Sequence, residues 1–170
     1  MKDLSLYLGN SGAEANEMAL QFCFNERIHE KRTKVLAFEG SFHGRMMTSL
    51  SATWNKAKRA PFEWAGYQTV FAPHPLLSDD IFNIENPPEL SSLFAQATAN
   101  DFTVPNKYME DPILKSEIES LLFVRDELLK DNIFSVMIEP MQCEGGDKYS
   151  SSRFHNNLLI MLRSFRVPLI

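Results

Sequence analysis

The stretch from Ile113 to Ile138 limits the possible folds most sharply. Ile113, Leu114, Ile118, Leu121, Leu122, Val124, Leu128 and Leu129 recur at helical spacing up to Lys130. After a short break the chain enters Ile133–Ile138, an apolar run with a single serine. A strand of that kind has no face suited to water, so it must be covered on both sides. Strands with helices between them, each strand buried, point to an α/β domain built on a mostly parallel sheet with flanking helices.

The remaining segments fit this scheme. Leu4–Leu8 alternates apolar and polar residues and reads as a short strand, followed by a turn cluster at Gly9–Gly12. A helix pattern begins at Ala13, with Ala15, Met18, Ala19, Phe22, Cys23 and Phe24 on its apolar face. It is expected to end near Lys31. Glu14 and Glu17 lie in its first turns, where the helix dipole favours acids. Lys34–Phe38 and Gln68–Ala72 read as strands, and Trp54 to Gly66 shows no clear period. Residues 73–111 are rich in Pro, Asn, Asp and Ser and read as an irregular surface excursion with short helical pieces. Ser151 or Ser152 is placed to cap a helix running to about Phe165, and Val167–Ile170 begins another strand. The 170 residues suit one domain. Apolar runs at both ends lead to the expectation that it is part of something larger.

Composition removes several functions. A net charge of −5 argues against a nucleic-acid binder, which would show a basic stripe. No apolar run is long enough to span a bilayer, and Met1-Lys2-Asp3-Leu4 lacks the apolar core of a signal peptide. Cys23 and Cys143 have no metal-ligand spacing, and His29, His74 and His155 have no metal-ligand company. The expectation is a reduced, cytoplasmic protein without a metal site.

Ligands of parallel sheets bind beyond the carboxyl ends of the strands. Gly9–Gly12, Glu39–Arg45 and Glu139–Asp147 all fall there, and each is dense in glycine or polar residues. Asn10-Ser11-Gly12-Ala13 runs straight into a helix N-terminus, where free N–H groups and the dipole favour an anion. Glycine lets a phosphate come close to the backbone. Phe42, His43 and Arg45 put flat rings beside a cation, which suits a flat, charged ligand. Glu139 follows a buried strand and needs a partner; Glu144 is a second carboxylate in the same loop. Taken singly, these loops also fit a plain strand-to-helix turn, a surface turn with a packed Phe, and a structural ion pair or cap.

In order along the chain, Asn10-Ser11-Gly12-Ala13-Glu14-Ala15-Asn16-Glu17, Phe38-Glu39-Gly40-Ser41-Phe42-His43-Gly44-Arg45 and Ile138-Glu139-Pro140-Met141-Gln142-Cys143-Glu144-Gly145-Gly146-Asp147 resemble three signatures of the class III (ω-amino acid) aminotransferases. The resemblance implies the first part of a fold-type I large domain over residues 1–170, with pyridoxal 5′-phosphate (PLP) as cofactor. It implies that Ser11, Gly12 and Ala13 hold the phosphate, that Phe42 stacks on the pyridine ring with His43 beside it, and that Glu139 orders the cofactor's surroundings. Arg45 is similar to an arginine that grips a substrate carboxylate. Glu144 looks like a switch glutamate that pairs with a second arginine when an ω-amino substrate is bound. Glu144–Asp147 together with Arg45 is most similar to the 4-aminobutyrate and lysine 6-aminotransferase branch. Some animal 4-aminobutyrate enzymes carry cysteines in the phosphate loop for an iron–sulfur cluster; none stands there in this chain, which implies no cluster.

The implied reaction moves an amino group from an ω-amino acid, such as 4-aminobutyrate or the lysine side chain, to a 2-oxo acid, in a family whose complete enzymes are homodimers. No lysine of the chain lies in the family's Schiff-base context, and the aspartate that pairs with the pyridine nitrogen is not matched either. The 170 residues are therefore expected to be inactive alone and to need a second chain or domain. The alternative is a truncated, non-catalytic remnant or an interaction subunit of the same fold.

Overall fold

A computed structural model describes residues 5–63, 66–75 and 86–170. Its centre is a three-stranded parallel sheet in the order β2-β1-β3. The strands are β1 (Lys34–Phe38), β2 (Gln68–Ala72) and β3 (Ile133–Val136). The Val167–Ile170 run extends the sheet beside β3 through a parallel bridge between Val136 and Leu169. Ile170 N–H donates to the Val136 carbonyl at 2.9 Å, and Ile138 N–H to the Ile170 carbonyl at 3.1 Å.

Alternation along β1 divides the core into two layers. Leu36 and Phe38 join one layer with Leu90, Phe94, Ile118, Leu121, Phe154 and Leu158; Val35 and Ala37 join the other with Leu20, Ala52, Phe134 and Met137. The first layer is covered by α4 (Pro88–Ala95), α5 (Pro112–Leu129) and α6 (Ser152–Phe165). The second is covered by α1 (Gly12–Asn25) and α2 (Met47–Ser51). A short α3 (Lys56–Arg59) and the β4–β5 hairpin (Met141–Gln142 with Lys148–Tyr149) complete the edge that carries the loops.

Most expected elements form where the sequence places them, with three differences. The first helix stops at Asn25, short of Lys31, because Arg27 turns back to donate to the Phe24 carbonyl and stacks on the Phe24 ring. Residues 5–8 form no strand: among the described residues their alternating pattern has no neighbouring strand to pair with, and Leu6 and Leu8 lie exposed. Leu4 lies outside the described residues. Residues 76–85 of the 73–111 segment lie outside the described residues; the described part is not wholly a surface excursion, since Leu90, Phe94, Ala97 and Tyr108 are buried in the first core layer. Its polar composition hides them because only a few residues per turn face inward.

Polar contacts pin the helices. Glu117 on α5 is almost wholly buried and takes Arg153 Nε at 2.8 Å and the Ser151 hydroxyl at 2.5 Å. Ser151 in turn caps α6 by accepting the Phe154 N–H at 3.0 Å. At the opposite edge Arg32 joins Asp131 at 2.6 Å and donates to the Phe165 and Arg166 carbonyls. Replacing Glu117 with Ala removes the carboxylate shared by Arg153 and the α6 cap. It should cost about 3 kcal/mol, the scale for breaking a buried ion pair. Denaturant unfolding of the variant reads this as a lower midpoint at unchanged slope.

Candidate functional site

Because the strands are parallel, the loops after β1 and β3 and the turn into α1 meet at one edge. The N-terminus of α1 is built locally. Ser11 is extended (φ −148°) and its hydroxyl accepts the Glu14 N–H at 3.2 Å, while Glu14 reaches back to take the Asn10 N–H at 2.5 Å. Ser11 thus caps the helix while Glu14 ties down the preceding residue, and with the Ser11 carbonyl taking the Ala15 N–H the cap leaves Gly12 and Ala13 N–H unclaimed. Among the described residues, a Cβ added at Gly12 would meet no atom beyond its chain neighbours and its own helix backbone within 4 Å, so space is open in front of the helix end.

The Glu39–Arg45 loop is locked against that helix. Asn16 Nδ2 donates to the His43 carbonyl at 2.7 Å. Thr53 Oγ1 accepts the His43 N–H at 3.0 Å and donates to the Gly44 carbonyl at 3.0 Å. Glu17 takes the Thr48 and Ser49 N–H groups, each at 2.7 Å, and so fixes the start of α2. Gly44 has φ +130°, and a Cβ there would lie 2.8 Å from Ala13 Cβ. Only glycine permits that approach.

The third loop closes on the second. Glu139 Oε2 accepts the Phe42 N–H at 2.8 Å. Burial pushes the Glu139 carboxyl above its ordinary range; the Phe42 N–H opposes this shift and the Glu144 charge adds to it. Gln142 is fully buried and donates to the Glu39 carbonyl at 2.9 Å. Its Oε1 lies where a Cβ on Gly40 (φ +82°) would intrude, at 2.6 Å. Glu144 forms an ion pair with Lys58 of α3, whose Nζ stands 5.2 Å from the centre of the Phe42 ring. An open hollow of about 520 Å³ lies between these loops, lined by Glu39, Gly40, Ser41, Lys56, Glu144 and Lys148 among others.

His43 is 4% exposed, and its Nε2 has no hydrogen-bond partner among the described residues. Burial pushes its pKa down to about 4, so the ring is uncharged at neutral pH. The structure thus gathers Ser11, Gly12, Ala13, Phe42, His43, Glu139 and Glu144 around one edge. Arg45 is exposed and borders a different hollow, with Met46, Met47, Leu50 and Phe62. Sequence reading did not single out Asn16, Thr53, Gln142 or Lys58. The density of polar residues in the Glu139–Asp147 loop was a signal for Gln142; Lys58 had none, since its partner is 86 positions away.

A buried parallel sheet whose carboxyl-end loops bring together a helix N-terminus with free N–H groups, a flat ring and two carboxylates defines an α/β domain with a polar site at one sheet edge. The chain belongs to the class-III aminotransferase family, whose profile matches residues 2–170. Acetylornithine aminotransferase of Candida glabrata is 52% identical over 59 residues, 34% of this chain and 14% of that protein. The Yarrowia lipolytica acetylornithine aminotransferase is 28% identical over 165 residues, 94% of this chain and 37% of its own length. The fold is that of lysine aminotransferase from Mycobacterium tuberculosis, solved in its internal aldimine form: the TM-score is 0.69 at 22% identity, over 96% of this chain and 34% of that one. The chain therefore spans about a third of the length of these two longer matches. The cofactor of the family is PLP, and the unclaimed N–H groups of Gly12 and Ala13 before open space suit its phosphate.

The two glycines should respond differently to a methyl group. Gly44→Ala must strain the backbone and push on Ala13, at a cost of about 2 kcal/mol. Gly12→Ala, with nothing to meet, should stay within about 0.5 kcal/mol of the parent. Paired thermal melts check the contrast.

Proposed function

We propose that these residues are the phosphate- and ring-holding part of a PLP-dependent aminotransferase that takes its amino group from the terminal amine of an ω-amino acid and gives it to a 2-oxo acid. The observation that carries this reading is the joining of the α1 N-terminus to the Phe42 loop through Asn16 and His43, and of that loop to Glu139. The class of donors includes 4-aminobutyrate and the side chain of lysine; relatives named for acetylornithine and for [LysW]-aminoadipate semialdehyde support a terminal amine.

PLP, when bound, would supply the electron sink for the electron pair left on the amine-bearing carbon when its proton is removed. The residues here have separate tasks. The N–H groups of Gly12 and Ala13, with the α1 dipole behind them, hold the phosphate; Ser11 shapes the turn that exposes them. Phe42 offers its ring as a platform. His43 backs it without adding charge. Glu139 fixes the Phe42 backbone and so the height of the platform. Arg45 is assigned to a substrate carboxylate and Glu144 to switching between substrate ends, both acting in the assembled enzyme. Transfer also needs a cofactor-bearing lysine, and no lysine of these residues matches its context. The 170 residues alone are accordingly inactive and work with further sequence, in the same chain or another, as a homodimer.

The full-length protein, titrated with PLP and with unphosphorylated pyridoxal, should bind PLP at least about tenfold more tightly, a difference of about 1.4 kcal/mol from the phosphate. Gly12→Asp should erase most of that preference while leaving the melting temperature unchanged. Adding 4-aminobutyrate or lysine should bleach the cofactor's aldehyde-form absorbance, and α-alanine should not. Equal affinity for PLP and pyridoxal, or a response to α-alanine alone, would overturn the reading.

A further inference from the structure

Lys58 belongs to a short helix that the assigned signatures do not include, yet its side chain ends in the site. Its ammonium is paired with Glu144 and faces the Phe42 ring at 5.2 Å. Phe42 N–H is held by Glu139, whose carboxyl already feels Glu144. Lys58 and Glu144 are both only partly exposed, at 28% and 36% of their side-chain surfaces, so their attraction is less screened than that of a free surface pair. Without the ammonium, an uncompensated negative charge would stand beside a second carboxylate.

We propose that Lys58 is a positioning residue of this site: bridging Glu144 and the face of Phe42, it holds the 139–147 loop against the 39–45 loop and neutralises Glu144 beside Glu139. The assignment rests on the reading of these loops as the ring-holding side of a cofactor site. The contact itself is independent of any ligand.

The charged groups between these loops come from each neighbouring segment. Glu39 from the loop after β1, Lys56 from α3, and Glu144 and Lys148 from the hairpin region line the adjacent hollow. His43, next to Phe42, remains uncharged at neutral pH. Glu139 protonation can be followed without cofactor through the amide shift of Phe42, the group that donates to it. In the full chain, Lys58→Met should raise the midpoint of that titration by roughly half a pH unit, at the low end of what a neighbouring like charge does. Lys58→Arg keeps the charge and should leave it near the parent value. Lys58→Met combined with Glu144→Gln should return it towards the parent, because the uncompensated charge is gone. The same variants should follow that order in affinity for PLP, an anionic ligand, with Lys58→Met weakest by about threefold or more.

A midpoint unmoved by Lys58→Met, or a double variant displaced as far as the single one, would overturn the proposal. If the parent fails to bind PLP while the titration shifts as expected, the pairing role of Lys58 stands and the cofactor reading falls. If PLP binds and the midpoint stays unmoved, the cofactor reading stands and the role of Lys58 falls.

Discussion

Burial of β1 on both faces is the constraint from which the rest follows. Val35, Leu36, Ala37 and Phe38 are all fully enclosed, and the strand has neighbours on both edges. A strand so placed needs helices above and below it, and helical crossovers make the neighbours parallel. Parallel strands discharge their following loops at one edge. The loops after β1 and β3 are therefore brought together by the same requirement that makes the core, and α1 packs on the second layer with its N-terminus at that edge.

The loops owe their shape to side chains that satisfy backbone groups. Asn16, Thr53, Glu139 and Gln142 each hold a backbone N–H or carbonyl of the 39–45 loop. Buried backbone groups need such partners, and a loop without a ladder must find them elsewhere. Gly40 and Gly44 allow the close approaches that make these bonds reachable. The chemistry of the edge has the same origin: the cap at Ser11 claims the N–H of Glu14 but leaves those of Gly12 and Ala13 pointing outward.

Much of this was legible in the sequence. β1, β2 and α6 occupy the ranges that their patterns define, because each combines a strong apolar period with a local start or stop signal. The end of α1 was not legible, since Arg27 stops it through a contact with Phe24 that periodicity does not encode. Residues 5–8 carry a strand-like alternation without a partner strand among the described residues, and alternation alone makes no ladder. The three polar loops were visible as loops. Their mutual contacts, such as Lys58 with Glu144, depend on segments far apart in the chain and emerge only from the tertiary packing.

The proposed function turns on one edge of the sheet, with the phosphate assigned to the α1 N-terminus and the ring to Phe42. Amide shifts of Gly12, Ala13 and Phe42, followed during addition of inorganic phosphate and then of PLP, probe the two positions separately. Phosphate should move Gly12 and Ala13 and leave Phe42 in place, whereas PLP should move all of them. Shifts confined to the hollow around Met46 and Phe62, with Gly12 and Ala13 unchanged, would contradict this assignment.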